Sequence, residues 1–116
     1  MKRILIIDDE AEIVAALEEI LTDEGYEVAT ATQGREGLAE MEKRRPDLVL
    51  LDLMMPVMDG ATTLKAMETR EEWRGVPVVL MSAGGQDAAR RSGERPFLAK
   101  PFDLTQLFAM IDRTLN

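Results

Sequence analysis

Five side chains able to do chemistry stand where short apolar runs break off. Asp8 and Asp9 follow Ile4, Leu5, Ile6 and Ile7. Asp52 follows Leu48, Val49, Leu50 and Leu51. Ser82 follows the run at 76–81, and Lys100 the run at 96–99. Runs this short and this apolar read as strands buried on both faces, as in a parallel sheet. In such a sheet all the carboxyl ends lie on one edge, where ligands bind in open α/β folds, so residues far apart in sequence are expected to meet in one cleft. Three carboxylates brought together repel one another unless a cation sits among them. Oxygen ligands without His or Cys point to a hard ion, Mg²⁺ by preference. Lys100 adds a fixed positive charge and Ser82 a hydroxyl donor. The set suits a tetrahedral anion at Asp52, with a carboxylate oxygen attacking in line while Mg²⁺ and Lys100 neutralise the phosphoryl oxygens.

The elements that must position these groups are legible in order. After the first run, Ile13, Ala16, Leu17, Ile20 and Leu21 are expected on the inward face of a helix that Gly25 stops. Tyr26, Val28 and Thr30 alternate with Glu27, Ala29 and Ala31 in a strand of mixed exposure. A weaker helix over residues 33–45 turns Leu38 and Met41 inward, and Pro46 closes it. Gly37 inside it is expected to cost about 1 kcal/mol relative to Ala. Asp59 and Gly60 punctuate the loop after Asp52, and a helix with Leu64 and Met67 inward follows, ending in a charged tail at 70–74. Residues 87–92 suffice for a turn or two of helix, which Gly93 breaks. Asp103 is placed to cap a last helix carrying Leu104, Leu107, Phe108, Ile111 and Leu115 at helical spacing. Strand and helix alternate five times, which predicts a doubly wound (βα)5 α/β fold with helices on both faces of a five-stranded parallel sheet.

Composition sets the bounds. The chain has 116 residues, enough for one core, and 46% are apolar, so it is expected to fold as one domain over 1–116. A net charge of −8 argues against nucleic acid and anionic membrane as partners. There is no cysteine and no histidine, which removes thiolate metal sites and imidazole chemistry and fits a reducing compartment. The opening MKRILIIDDE is too short in apolar residues for a signal peptide or a membrane span, so a cytoplasmic location is expected.

Four segments, IIDDE at 6–10, LLDLMMPVMDG at 50–60, VVLMSA at 78–83 and FLAKPF at 97–102, together resemble the receiver domain of two-component response regulators. Any one alone is weak; four in this order, ending strands one, three, four and five, are specific. The resemblance implies a flavodoxin-like sheet of order 2-1-3-4-5 and a phosphorylation-activated switch that catalyses only its own phosphorylation and dephosphorylation. Asp52 then matches the phosphoacceptor, charged from the phosphohistidine of a sensor histidine kinase or phosphotransfer protein. Asp8 and Asp9 match the acidic pair that holds Mg²⁺, joined by Asp52 and the backbone carbonyl of Met54. Ser82 matches the hydroxyl residue that moves onto the phosphoryl group, and Phe97 the aromatic residue that turns inward with it. Lys100 matches the phosphate-binding lysine, and its bond to Pro101 is usually cis in the family. The output is expected through an unknown downstream protein, with the chain a monomer or a phosphorylation-dependent dimer.

Each residue taken singly has a plainer reading. Asp8 and Asp9 can be helix caps, Asp52 an exposed loop acid, Ser82 a turn former, Lys100 a surface charge and Phe97 plain core. Other functions compete as well. An aspartate-nucleophile phosphatase of the haloacid dehalogenase type needs an acid two residues after the nucleophile, where Met54 stands. A flavodoxin-like electron carrier needs a phosphate loop after the first strand, where the two acids stand. A phosphorylation-independent receiver-like binding module is the third. The chain also departs from the family between Ser82 and Lys100. It is shorter there by about four residues, roughly one turn of helix, which places a shortened fourth helix near Arg90, Arg91 and Arg95, on the usual output face. At two rim positions, Met54 and Gly84, no side chain is able to hydrogen-bond a hydrolytic water.

Overall fold

The computed structural model describes residues 1–55, 58–84, 90 and 95–115. Strands β1 (Arg3–Ile7), β2 (Glu27–Ala31), β3 (Leu48–Asp52), β4 (Val78–Ser82) and β5 (Phe97–Ala99) form one parallel sheet in the order β2-β1-β3-β4-β5. The chain steps from β1 outward to β2, then returns past β1 to lay down β3. The winding therefore reverses between β1 and β3, and the crevice at such a reversal is where open α/β sheets receive ligands. The register sets Ile7 beside Leu51, Asp52 beside Met81 and Ser82 beside Ala99. That alignment puts the polar residues that end β3 and β4, and those that follow β1 and β5, on one edge.

Both faces of the sheet are covered. Leu5, Ile7, Val49, Leu51, Val78 and Leu80 meet Met41 of α2 (Gly34–Lys43) and Met67 of α3 (Gly60–Glu68). Ile4, Ile6, Leu48, Leu50, Val79 and Met81 meet Val14, Leu17 and Leu21 of α1 (Ala11–Asp23), and Leu107 and Ile111 of the C-terminal helix (Leu104–Leu115). Burying each of these side chains is worth about 1.5–3 kcal/mol relative to exposure, so the continuous apolar runs pin the strands at the centre. Asp103 caps the C-terminal helix as expected. Its carboxylate accepts the Gln106 N–H at 2.8 Å, while the Gln106 side chain accepts the Asp103 N–H at 3.0 Å, a reciprocal capping box.

Four local expectations are corrected. In α1 the line facing the sheet is Val14, Leu17 and Leu21; Ala16 is exposed, and Ile13 and Ile20 lie at the flank. The helix carries two apolar lines about 100° apart, and periodicity alone does not choose between them. Leu104 points outward at 48% exposure, and with Ile13, Ala16, Ile20 and Phe102 it lines a groove of about 430 Å³. Gly37 does more than weaken α2: a Cβ there would fall 2.4 Å from Ile7 Cδ1, so the glycine lets α2 lie directly on β1. The tail at 70–74 folds a short 3-10 turn, Glu71–Trp73, that buries Trp73 under Arg70. The shortened helix expected over 87–92 lies, Arg90 apart, outside the described residues.

Candidate functional site

Asp52 is the last residue of β3 and is 3% exposed. Its Oδ1 accepts the Met54 N–H at 3.1 Å, and its Oδ2 lies 3.6 Å from Lys100 Nζ. The loop behind it is fixed by Gly60, whose N–H donates to the Leu53 carbonyl at 3.1 Å. A Cβ on Gly60 would fall 2.3 Å from the Asp52 carbonyl oxygen and 2.5 Å from Leu53 Cα, so only glycine permits this approach. Asp59 caps the helix that Gly60 begins, accepting the Thr62 N–H at 2.8 Å.

Asp8 follows β1 and is completely buried. Its backbone N–H reaches the Ala31 carbonyl at 3.1 Å, its Oδ1 accepts the Glu10 N–H at 2.9 Å, and its Oδ2 accepts from Lys100 Nζ at 2.7 Å. Lys100 follows β5, with its backbone N–H on the Ser82 carbonyl at 2.9 Å and its side chain only 9% exposed. Its bond to Pro101 is cis. Ser82 is buried at the end of β4, and its Oγ accepts the Gly84 N–H at 3.0 Å. Asp52 is no loop acid and Lys100 no surface charge: the sheet register carries both into the crevice.

The electrostatics follow from this burial. Desolvation raises the Asp52 pKa from 3.8 to about 6, with the charges of Asp8 and Asp9 adding to it and the Met54 N–H and Lys100 opposing. Lys100 is raised: burial works against its charge, but the hydrogen bonds to Asp8 and Glu10 and the charges of Asp8 and Asp52 outweigh it. Carboxylate oxygens of Asp8, Glu10 and Asp52 lie within 4.8 Å of one another. The two buried carboxylates, Asp8 and Asp52, fit a small divalent cation of the Mg²⁺ type, with Glu10 at the exposed rim.

The structure sorts the expected residues. Asp8, Asp52 and Lys100 converge, and Ser82 stands on the neighbouring strand. Asp9 is exposed and stands apart from the cluster of carboxylates, although its charge reaches Asp52. Phe97 is half-buried beside Leu80 in the β4–β5 register and packs on the core. Met54 is 58% exposed at the rim. The residue that sequence reasoning passed over is Glu10, whose Oε1 lies 2.9 Å from Lys100 Nζ. Its one signal was position: a third acid in succession after β1.

Comparison with known proteins agrees with this geometry. The family described as the response regulator receiver domain matches residues 4–112. Sporulation initiation phosphotransferase F of Bacillus subtilis is 37% identical over 110 residues, covering 91% of this chain and 87% of that protein. Chemotaxis protein CheY of Bacillus subtilis is 36% identical over 119 residues, covering 98% of each. The transcriptional regulatory protein PrrA of Mycobacterium tuberculosis is 37% identical over 118 residues; they cover 98% of this chain, which spans about half of that longer protein, 50%. Among solved structures, chemotaxis protein CheY4 of Vibrio cholerae superposes with a TM-score of 0.91 at 32% identity, covering 99% of both chains. The chain therefore belongs to the response regulator receiver domain family. Domains of this family are signalling switches of two-component systems rather than enzymes in the usual sense. Among the described residues no helix is long and apolar enough to cross a membrane.

Proposed function

We propose that residues 1–116 act as a single receiver domain, in the cytoplasm, in which Asp52 accepts a phosphoryl group from the phosphohistidine of a sensor histidine kinase or phosphotransfer protein. The observation that carries this reading is the setting of Asp52: a carboxylate 3% exposed, at the point where the sheet reverses its winding, with a buried lysine 3.6 Å away. An Asp52 oxygen attacks phosphorus in line, the P–N bond to the imidazole breaks, and its electron pair leaves with the ring nitrogen. Burial keeps water from the reacting oxygen. Asp8 and Asp52, with Asp9 and the Met54 carbonyl as the family pattern implies, would hold Mg²⁺, which supplies charge neutralisation for the phosphoryl oxygens. Lys100 provides the second positive charge from the end of β5.

Ser82 and Phe97 then relay the change to a protein partner. Ser82 leaves the Gly84 N–H for a phosphoryl oxygen, and Phe97, half-buried one strand further out, turns into the space behind it. The exposed, apolar Met54 argues against a phosphatase, because no acid stands where a second proton-transfer group is needed.

Intact mass after incubation with acetyl phosphate tests the reading. The parent protein is expected to gain the mass of one phosphoryl group only when Mg²⁺ is present, and Asp52→Ala to gain none. No gain in the parent would leave a phosphorylation-independent binding module. Continuous turnover of a phosphate ester would instead indicate a phosphatase.

A further inference from the structure

Two hydrogen-bonded carboxylates share the Lys100 ammonium, and they differ in kind. Asp8 is buried and lies 2.7 Å away; Glu10 is 56% exposed and lies 2.9 Å away. Glu10 also occupies the N-cap of α1, a position where a short polar side chain ordinarily accepts an N–H of the first turn. Its side chain makes no such bond, and it reaches across to the β5 loop instead, while its backbone N–H goes to Asp8. A residue too long to cap thus stands at the cap position and joins the first and last parts of the crevice.

We propose that Glu10 is a positioning residue for Lys100, holding the ammonium at the mouth of the crevice when Asp8 and Asp52 are engaged by a divalent cation. Such a cation competes for the oxygens that Lys100 uses and repels its charge. Of the three carboxylates around Lys100, Glu10 is the exposed one at the rim, and it can keep the ammonium when Asp8 and Asp52 turn to the ion. Without it, the flexible lysine stem is free to turn into solvent, and the ordering lost must be recovered when a phosphoryl group arrives. The functional meaning rests on Asp52 as the phosphoacceptor; the placement of Lys100 is measurable without it.

The test is the rate of reductive methylation of Lys100, followed by peptide mass spectrometry, with and without saturating Mg²⁺, in the parent and in Glu10→Gln, Glu10→Asp and Glu10→Ala. Calorimetry fixes the Mg²⁺ affinity of each protein. Without Mg²⁺, Asp8 still holds the lysine, and all four are expected to react within about twofold of one another. With Mg²⁺, Glu10→Ala and Glu10→Asp are expected to expose Lys100 and raise its rate roughly three- to tenfold, the scale of one lost charge-assisted hydrogen bond near the surface. Glu10→Gln keeps the reach and an acceptor oxygen and is expected to rise less than Glu10→Asp. The proposal is overturned if Glu10→Asp matches the parent while Glu10→Gln matches Glu10→Ala, which marks a charge effect alone. It is also overturned if Mg²⁺ affinity falls tenfold or more in Glu10→Ala with Lys100 reactivity unchanged, which marks Glu10 as a metal ligand. A parent that reacts as expected here but gains no phosphoryl group from acetyl phosphate would sink the proposed function and leave the role of Glu10 standing.

Discussion

At the amino ends of the strands, four arginines meet four glutamates, most of them near solvent. Arg3 and Arg44 share Glu27 at 3.0 and 2.7 Å, Arg95 meets Glu68 at 2.6 Å, and Arg70 lies between Glu42 and Glu72. At the carboxyl ends, three carboxylates surround one ammonium, and Asp8, Asp52 and Lys100 are nearly shut off from water. Both edges belong to the same five strands, so topology does not account for the contrast. Balanced charges near water contribute little, although the Arg3 Nε there is buried without a partner among the described residues. An unmatched buried cluster destabilises the folded state unless a further cation joins it. The amino edge therefore supports the fold, and the carboxyl edge holds an excess of negative charge that a metal ion can redress.

The sharpest way to break this contrast is to remove the lysine. Lys100→Met leaves Asp8 and Asp52 buried without their ammonium, and it is expected to destabilise the Mg²⁺-free protein by about 2–4 kcal/mol, with Asp52 limiting the loss by taking up a proton. Urea denaturation should show most of that loss recovered on adding Mg²⁺. Equal losses with and without Mg²⁺ would mean the lysine matters for packing rather than charge.

Removing charge from Asp52 should act in the opposite direction. Its pKa is about 6 in the folded protein against 3.8 for the unperturbed group. As pH rises from 4 to 6 the unfolded chain releases its proton first, so this group's contribution to stability falls across that window and stays low above it. Asp52→Asn keeps the acceptor for the Met54 N–H and removes the charge. It is expected to be more stable than the parent by about 1–3 kcal/mol at pH 7.5 without Mg²⁺, and no more stable at pH 4. A pH-independent difference would place the effect elsewhere than in ionisation.

A smaller, kinetic effect belongs to the rim. Met54→Asn and Gly84→Glu each introduce a side chain able to hydrogen-bond a hydrolytic water, and each is expected to shorten the life of phosphorylated Asp52 by roughly two- to tenfold in an intact-mass time course. Unchanged decay in both would show that water reaches the phosphoryl group by another route. The smallest effect should come from the opposite edge: Arg44→Ala is expected to change stability by less than about 1 kcal/mol, equally with and without Mg²⁺. A Mg²⁺-dependent change there would erase the distinction between the edges.

Much of the carboxyl edge was readable from sequence because its grammar is simple. An apolar run has to be a buried strand, and the polar residue that ends it has to lie at the sheet's rim; Asp8, Asp52, Ser82 and Lys100 all follow that rule. The same rule says nothing about reach, so it singled out Asp9 and passed over Glu10. The structure separates them by direction: Glu10 points at Lys100 and Asp9 at solvent. Periodicity named the inward helices but not which of two apolar lines in α1 met the sheet, since Ile13 and Ile20 are as hydrophobic as Val14 and Leu21. Gly37 was read as a local weakness because propensity concerns one helix, whereas its reason lies in Ile7 of another element.

Gly60 has a mechanical consequence. Its bare Cα rests against the Asp52 carbonyl and Leu53 Cα, and its N–H is tied to the Leu53 carbonyl, so the ground behind the nucleophile behaves as an anvil. At the end of the neighbouring strand, the Ser82 hydroxyl accepts the N–H of a glycine two residues along. The backbone of Asp52 is thus held tightly from behind, while the Ser82 hydroxyl is held by a hydrogen bond that another acceptor or donor can replace. A phosphoryl group on Asp52 would therefore be expected to displace the Ser82 end of the sheet more readily than the backbone that Gly60 braces.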